Sequence, residues 1–196
     1  MAGYGRRRVV GMGLVGAAAL ALGGCASAQD GRPRSGATTP TSDGHFASFT
    51  EYVPDKLEIR TDLGRLDRRM PGITISFAHW VAQYWQEKRE FLPPQDRPIW
   101  VHGVMTLEPA STRALAEAST GKADPLPGIY PDLRQYVPEG KVFATVPKEK
   151  AEEILDVKHM MRDDPNAHGS DGVGVDQAAV CTDANLLILM ANEHIF

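Results

Sequence analysis

At 196 residues, with 42 % apolar and 23 % charged side chains, the chain has the composition of a globular protein and the length for one domain plus accessories. Its formal charge is −4; removing a leader that holds Arg6, Arg7 and Arg8 and no acidic residue leaves 18 basic against 25 acidic side chains. A net-acidic domain is poorly suited to collecting phosphate backbones, so nucleic acid is excluded as an expected partner.

The N-terminus reads as an export signal. Arg6 to Arg8 form a positive flank, and the 14 residues from Val9 to Leu22 are uncharged. That is short of the roughly 20 apolar residues a membrane-spanning helix needs, and it fits a signal-peptide core. Arg6-Arg7-Arg8-Val9-Val10 also fits a twin-arginine export signal, although Gly5 stands where Ser or Thr is usual. The tetrapeptide Leu22-Gly23-Gly24-Cys25 resembles the lipobox of bacterial lipoproteins. The resemblance implies cleavage between Gly24 and Cys25, with residues 1–24 as signal peptide and acyl chains (palmitate among them) on Cys25. Two or more such chains hold a protein stably on a membrane. The competing reading is an ordinary signal peptide cut near Ala26-Ser27-Ala28.

From Ala26 to His45, Pro, Gly, Ser and Thr dominate, so 25–45 reads as a lipidated cysteine and flexible linker. Residues 46–196, about 150 in number, are long enough to bury a core without disulfides. Cys181 is then left without a partner, and its apolar setting predicts a buried, inert thiol.

Within 46–196, Leu57 and Ile59 hint at a short strand and Arg65 to Met70 at a helical turn. Residues 73–91 support two readings. Ile73, Ile75 and Phe77 alternate as in a strand, whereas Phe77, Trp80, Val81, Tyr84 and Trp85 recur at helical spacing. Ile99–Leu107 predicts a strand. Pro109 opens a predicted helix with Ala110, Ala114, Leu115 and Ala118 on its apolar face. A helical turn is expected within 128–137, a strand over 141–146, and a helix over 148–161 with Ala151, Ile154, Leu155 and Met161 inward. Two further strands, Gln177–Cys181 and Leu186–Ala191, flank the loop Thr182-Asp183-Ala184-Asn185. The run Leu186 to Met190 is apolar on both faces and predicts a central strand. The order implies a single α+β domain with a mixed or mainly antiparallel sheet of about 4–6 strands and 2–4 helices.

Three sets of residues carry candidate chemistry. Oxygen-rich Asp164, Asn166, His168, Asp171 and Asp176 could hold Ca2+, although Val175 falls where an EF-hand needs a bidentate Glu. The competing reading is a loop whose Asp and Asn side chains bond the local backbone. His168, Asp171 and Asp176 could instead belong to a hydrolase, but no G-x-S-x-G or H-E-x-x-H pattern supports one. Trp80, Tyr84, Trp85 and Trp100 are candidates for sugar or protein recognition, or for the core.

Trp100-Val101-His102-Gly103, Asp171 to Asp176 and the arginine-rich, GC-rich composition resemble uncharacterised lipoproteins of Streptomyces-like actinobacteria. That resemblance implies an extracytoplasmic protein on the cell membrane and brings no catalytic residues with it. The expectation is a lipid-anchored, non-catalytic protein binding another protein or an envelope component, with no cofactor. A tethered hydrolase and a Ca2+-ordered binding domain are the alternatives.

Overall fold

A computed structural model describes residues 44–88, 97–159 and 172–194. Its centre is a five-stranded antiparallel sheet of β1 (Ile75–Tyr84), β2 (Ile99–Leu107), β3 (Ala144–Val146), β4 (Gly172–Cys181) and β5 (Leu186–His194), in the order β1-β2-β5-β4-β3. Helices α1 (Gly64–Arg69), α2 (Pro109–Glu117) and α3 (Lys148–Leu155) and a 3-10 helix over Pro131–Tyr136 complete an α+β domain. Of the two readings of 73–91, a strand near 73–81 leading into irregular or helical structure is the one that forms, as β1 over Ile75–Tyr84; residues 89–96, including Phe91, lie outside the described residues.

Both faces of the sheet are buried, because the strands send apolar side chains to each. Trp80, Val101, Met105, Val175, Val180, Leu187 and Leu189 meet Leu66, Leu115, Ala151 and Leu155 of the three helices. On the opposite face Val81, Trp100, Val104, Ala179, Ile188 and Met190 meet Phe46, Phe49 and Val53 of an extended N-terminal segment, with Ile129, Tyr130 and Leu133. Leu126 N–H bonds His45 O at 2.8–2.9 Å spacing with its neighbour pair Ala47 N–H to Leu126 O, which fastens that segment where the core begins.

Several local expectations are corrected. Leu57 and Ile59 build no strand; a lone bridge pairs Arg60 with Trp80 on the outer edge of β1. In α2 the buried residues are Thr112 and Leu115, whereas Ala110 is exposed; Thr112 is accommodated by turning its hydroxyl onto Glu108 O. β3 spans Ala144–Val146, not 141–146, and β4 begins at Gly172. Helix α3 stops at Leu155, not 161: Asp156 takes a left-handed φ of 55°, and Val157 N–H returns to Glu152 O. Met161 lies outside the described residues.

A loop closes this helix end. Gly72 N–H donates to Leu155 O at 3.1 Å. A Cβ at Gly72 would overlap the Ile154 carbonyl oxygen and lie 2.9 Å from the Leu155 carbonyl carbon. Gly72→Ala is therefore expected to lower stability by about 1–3 kcal/mol, the usual cost of overpacking. Chemical denaturation checks this; an unchanged midpoint would show that the 70–73 loop moves away freely.

Candidate functional site

The phase of the apolar pattern in β4 changes midway. Val173 and Val175 face the helices, but so do Ala178 and Val180, so one extra residue must be accommodated between them. The register shows it: Val175 pairs with Ala191 and Gln177 with Met190, leaving Asp176 as a bulge. Bulges re-aim a side chain, and here Asp176 receives a hydrogen bond from Asn192 Nδ2 on β5.

Beyond β3 the outer edge of β4 is held by a side chain. Glu152 Oε1 of α3 accepts from Val175 N–H at 3.2 Å, while Lys158 Nζ lies 2.8 Å from Glu152 Oε2 and Lys148 Nζ 3.9 Å from Oε1. Burial opposes ionisation of Glu152, but the Lys158 and Val175 hydrogen bonds outweigh it and hold the carboxyl below its ordinary range.

Across the same sheet face a row runs Gln83, Trp100, Asn192 and Gly174. Gln83 Nε2 donates to Tyr52 O at 2.9 Å, which fixes the segment carrying Glu51. Phe49 packs edge-on against Trp100, His102 and Tyr130 at 5.7–6.0 Å. Glu51 Oε1 thereby comes within 4.0 Å of His102 Nε2. Burial raises the Glu51 carboxyl above its ordinary range, and the Asp176 charge adds to the rise. Asp176 is also raised, by burial first and by Glu152, with Lys148 opposing.

His102 is not a free base. Its Nδ1 accepts from Tyr130 N–H at 3.1 Å, so the neutral ring carries its proton on Nε2. Burial lowers its pKa to about 3, so the ring is uncharged at neutral pH and the Glu51 contact is not an ion pair. His79 is also lowered by desolvation and stacks on Tyr136 at 3.5 Å.

Beside the bulge opens a groove of about 380 Å3. Ala47, Pro125, Pro127 and Pro147 form apolar walls, and Lys148, Asp176 and Gln177 supply polar groups. A wider depression of about 630 Å3 lies at the chain's entry to the domain, around His45, Arg134 and Glu139.

The residues singled out in the sequence divide accordingly. Trp80 and Trp100 are 0 % and 2 % exposed and belong to the two cores, the second of the two readings the sequence offered for them. Tyr84 and Trp85 are exposed at the end of β1, and Phe77 is exposed on the same strand. Cys181 is a buried free thiol. Asp176 lies in the groove, whereas Gly24, Cys25, Asp164, Asn166, His168 and Asp171 lie outside the described residues. Among the described residues no group of three or more His, Cys, Asp and Glu is arranged to hold a metal ion. No helix among them is long and apolar enough to cross a membrane.

Glu51, Lys148, Glu152 and Asn192 carried no signal in the sequence, since each acquires its setting through distant partners. The bulge at Asp176 was readable from the phase change in β4. Comparison with family models, curated proteins and solved structures finds no match.

His102 predicts an acid sensitivity. The unfolded chain binds a proton near pH 6.5 that the folded ring refuses until about pH 3, so stability falls as pH drops through that interval. The slope is about 1.4 kcal/mol per pH unit. Raised Glu51 and Asp176 act in the opposite sense, restoring some stability as pH falls through their folded-state pKa values. Denaturant midpoints across pH 4–7 check this, and His102→Leu should make the slope between pH 5 and 6.5 distinctly shallower, leaving the contribution of His79 and the opposing carboxyls.

Proposed function

We propose that the protein is a lipid-anchored, extracytoplasmic lipoprotein whose α+β domain binds its partner or ligand without catalysis. Leu22-Gly23-Gly24-Cys25 supports the anchor, with Cys25 as the acylated residue. The Pro-, Gly-, Ser- and Thr-rich composition from Ala26 to His45 supports reading that stretch as the linker between anchor and domain. Nucleic acid has no part in this reading, given the acidic balance of the mature chain.

The observation that carries the binding assignment is the groove beside Asp176. Apolar walls with a few convergent polar groups are the composition of a recognition site. The buried His102 has its only lone pair committed to Tyr130 N–H, so it is not available to the groove as a base.

The anchor has a direct test. Cells expressing the full chain and fed labelled palmitate should incorporate label into the wild type, and Cys25→Ala should lose it and leave the membrane fraction. Equal labelling of the Cys25→Ala chain would overturn the assignment.

A further inference from the structure

We infer that the groove beside the β4 bulge binds a zwitterionic ligand, an amino acid or short peptide with both ends free, its ammonium on Asp176 and its carboxylate on Lys148. This deepens the binding reading above and rests on it.

Both side chains line one groove, and they carry opposite charge. Each is held in place and still has capacity. Asn192 occupies Asp176 Oδ2, which orients the carboxylate and leaves Oδ1 for a ligand. Lys148 Nζ has a loose contact of 3.9 Å with Glu152 Oε1, and its side chain is half exposed. An ammonium has three donors, so the Glu152 contact leaves others unused. The backbone beneath is equally defined, since Glu152 fixes Val175 N–H and the bulge then determines where Asp176 points.

The pairing of charges selects against singly charged ligands. A simple cation drawn to Asp176 meets Lys148 in the same groove, and a simple anion drawn to Lys148 meets Asp176. A molecule bearing both charges satisfies both residues, and discrimination by like-charge repulsion is a general route to specificity. The volume of about 380 Å3 is at the lower end of the about 300–1,000 Å3 typical of small-molecule sites, which fits one to a few residues. Pro125, Pro127 and Pro147 form stiff walls against which a small apolar side chain can pack, and the Gln177 carboxamide can bond a peptide group.

Electrostatics adds a second readout. Burial and the Glu152 charge hold the Asp176 carboxyl above its ordinary range against the opposing Lys148. A bound ammonium favours the ionised carboxylate, so affinity should rise with pH through the titration of Asp176. Glu51, itself raised, is the other carboxyl that feels this charge.

Calorimetric titration of the full chain in detergent with alanylalanine, its N-acetyl form and its C-terminal amide tests the assignment. The free dipeptide should bind, and either cap should weaken it at least about tenfold. Asp176→Asn, which keeps a partner for Asn192, should weaken the free dipeptide about tenfold and leave the N-acetyl form unaffected. Lys148→Met should do the same with respect to the amide. Thermal midpoints within the wild-type range establish that both variants are folded. Capped and free peptides binding equally would overturn the charge assignment and leave groove binding in place. No heat with any of the three would overturn the inference, and palmitate labelling at Cys25 would still test the anchored lipoprotein separately.

Discussion

The architecture depends on one constraint: β5 is apolar on both faces and must be covered on both. Leu187, Leu189 and Ala191 point one way, and Ile188 and Met190 the other. Full burial of such a side chain contributes about 1.5–3 kcal/mol, so leaving either face open would cost much of a small domain's net stability. The strand therefore takes the central position, with β2 and β4 on either side. The helices α1, α2 and α3 cover one face. Irregular chain from 46 to 60 and around the 3-10 helix covers the other.

That asymmetry explains where the polar groups lie. Helices bury a continuous apolar stripe, while irregular chain admits polar residues between its apolar anchors. Phe49 and Val53 pack into the core, and Glu51 between them reaches over His102. The helical face has its own charged group at the end of β5. Glu193, 1 % exposed, is paired with Arg65 at 2.6 Å and with Arg69, both from α1. A buried carboxylate with two arginines fixes the position of α1 more than it adds stability, since desolvation offsets much of the attraction.

The sheet edges show the same economy. An open strand edge invites pairing with another chain. Arg60 exchanges backbone bonds of 2.8 and 3.0 Å with Trp80 on β1, and residues 120–123 bond the edge of β3 that faces away from β4. On β4 the cover is a single carboxylate, Glu152, and it is there that the bulge turns Asp176 into the groove. The candidate site thus lies where backbone pairing gives way to side-chain hydrogen bonding.

The sequence by itself determined the fold class, β2 to the residue, and the central place of β5, because two-sided apolarity and strand period are local patterns. It also determined the Thr182–Asn185 loop, where Asn185 takes a φ of 51° suited to its short polar side chain. It did not determine whether residues 73–91 were strand or helix, since Phe77, Trp80, Val81 and Tyr84 satisfy both periods. Pairing with β2 decided that, along with the burial of Trp80 and Trp100 in opposite cores. Helix α3 ended early where Asp156 turns left-handed, and Gly72, some eighty residues away in sequence, binds its last carbonyl. The groove was likewise a tertiary product. Asp176 was conspicuous among its polar neighbours, but Lys148, Glu51 and Asn192 join it only through sheet register and chain crossing, which no local pattern encodes.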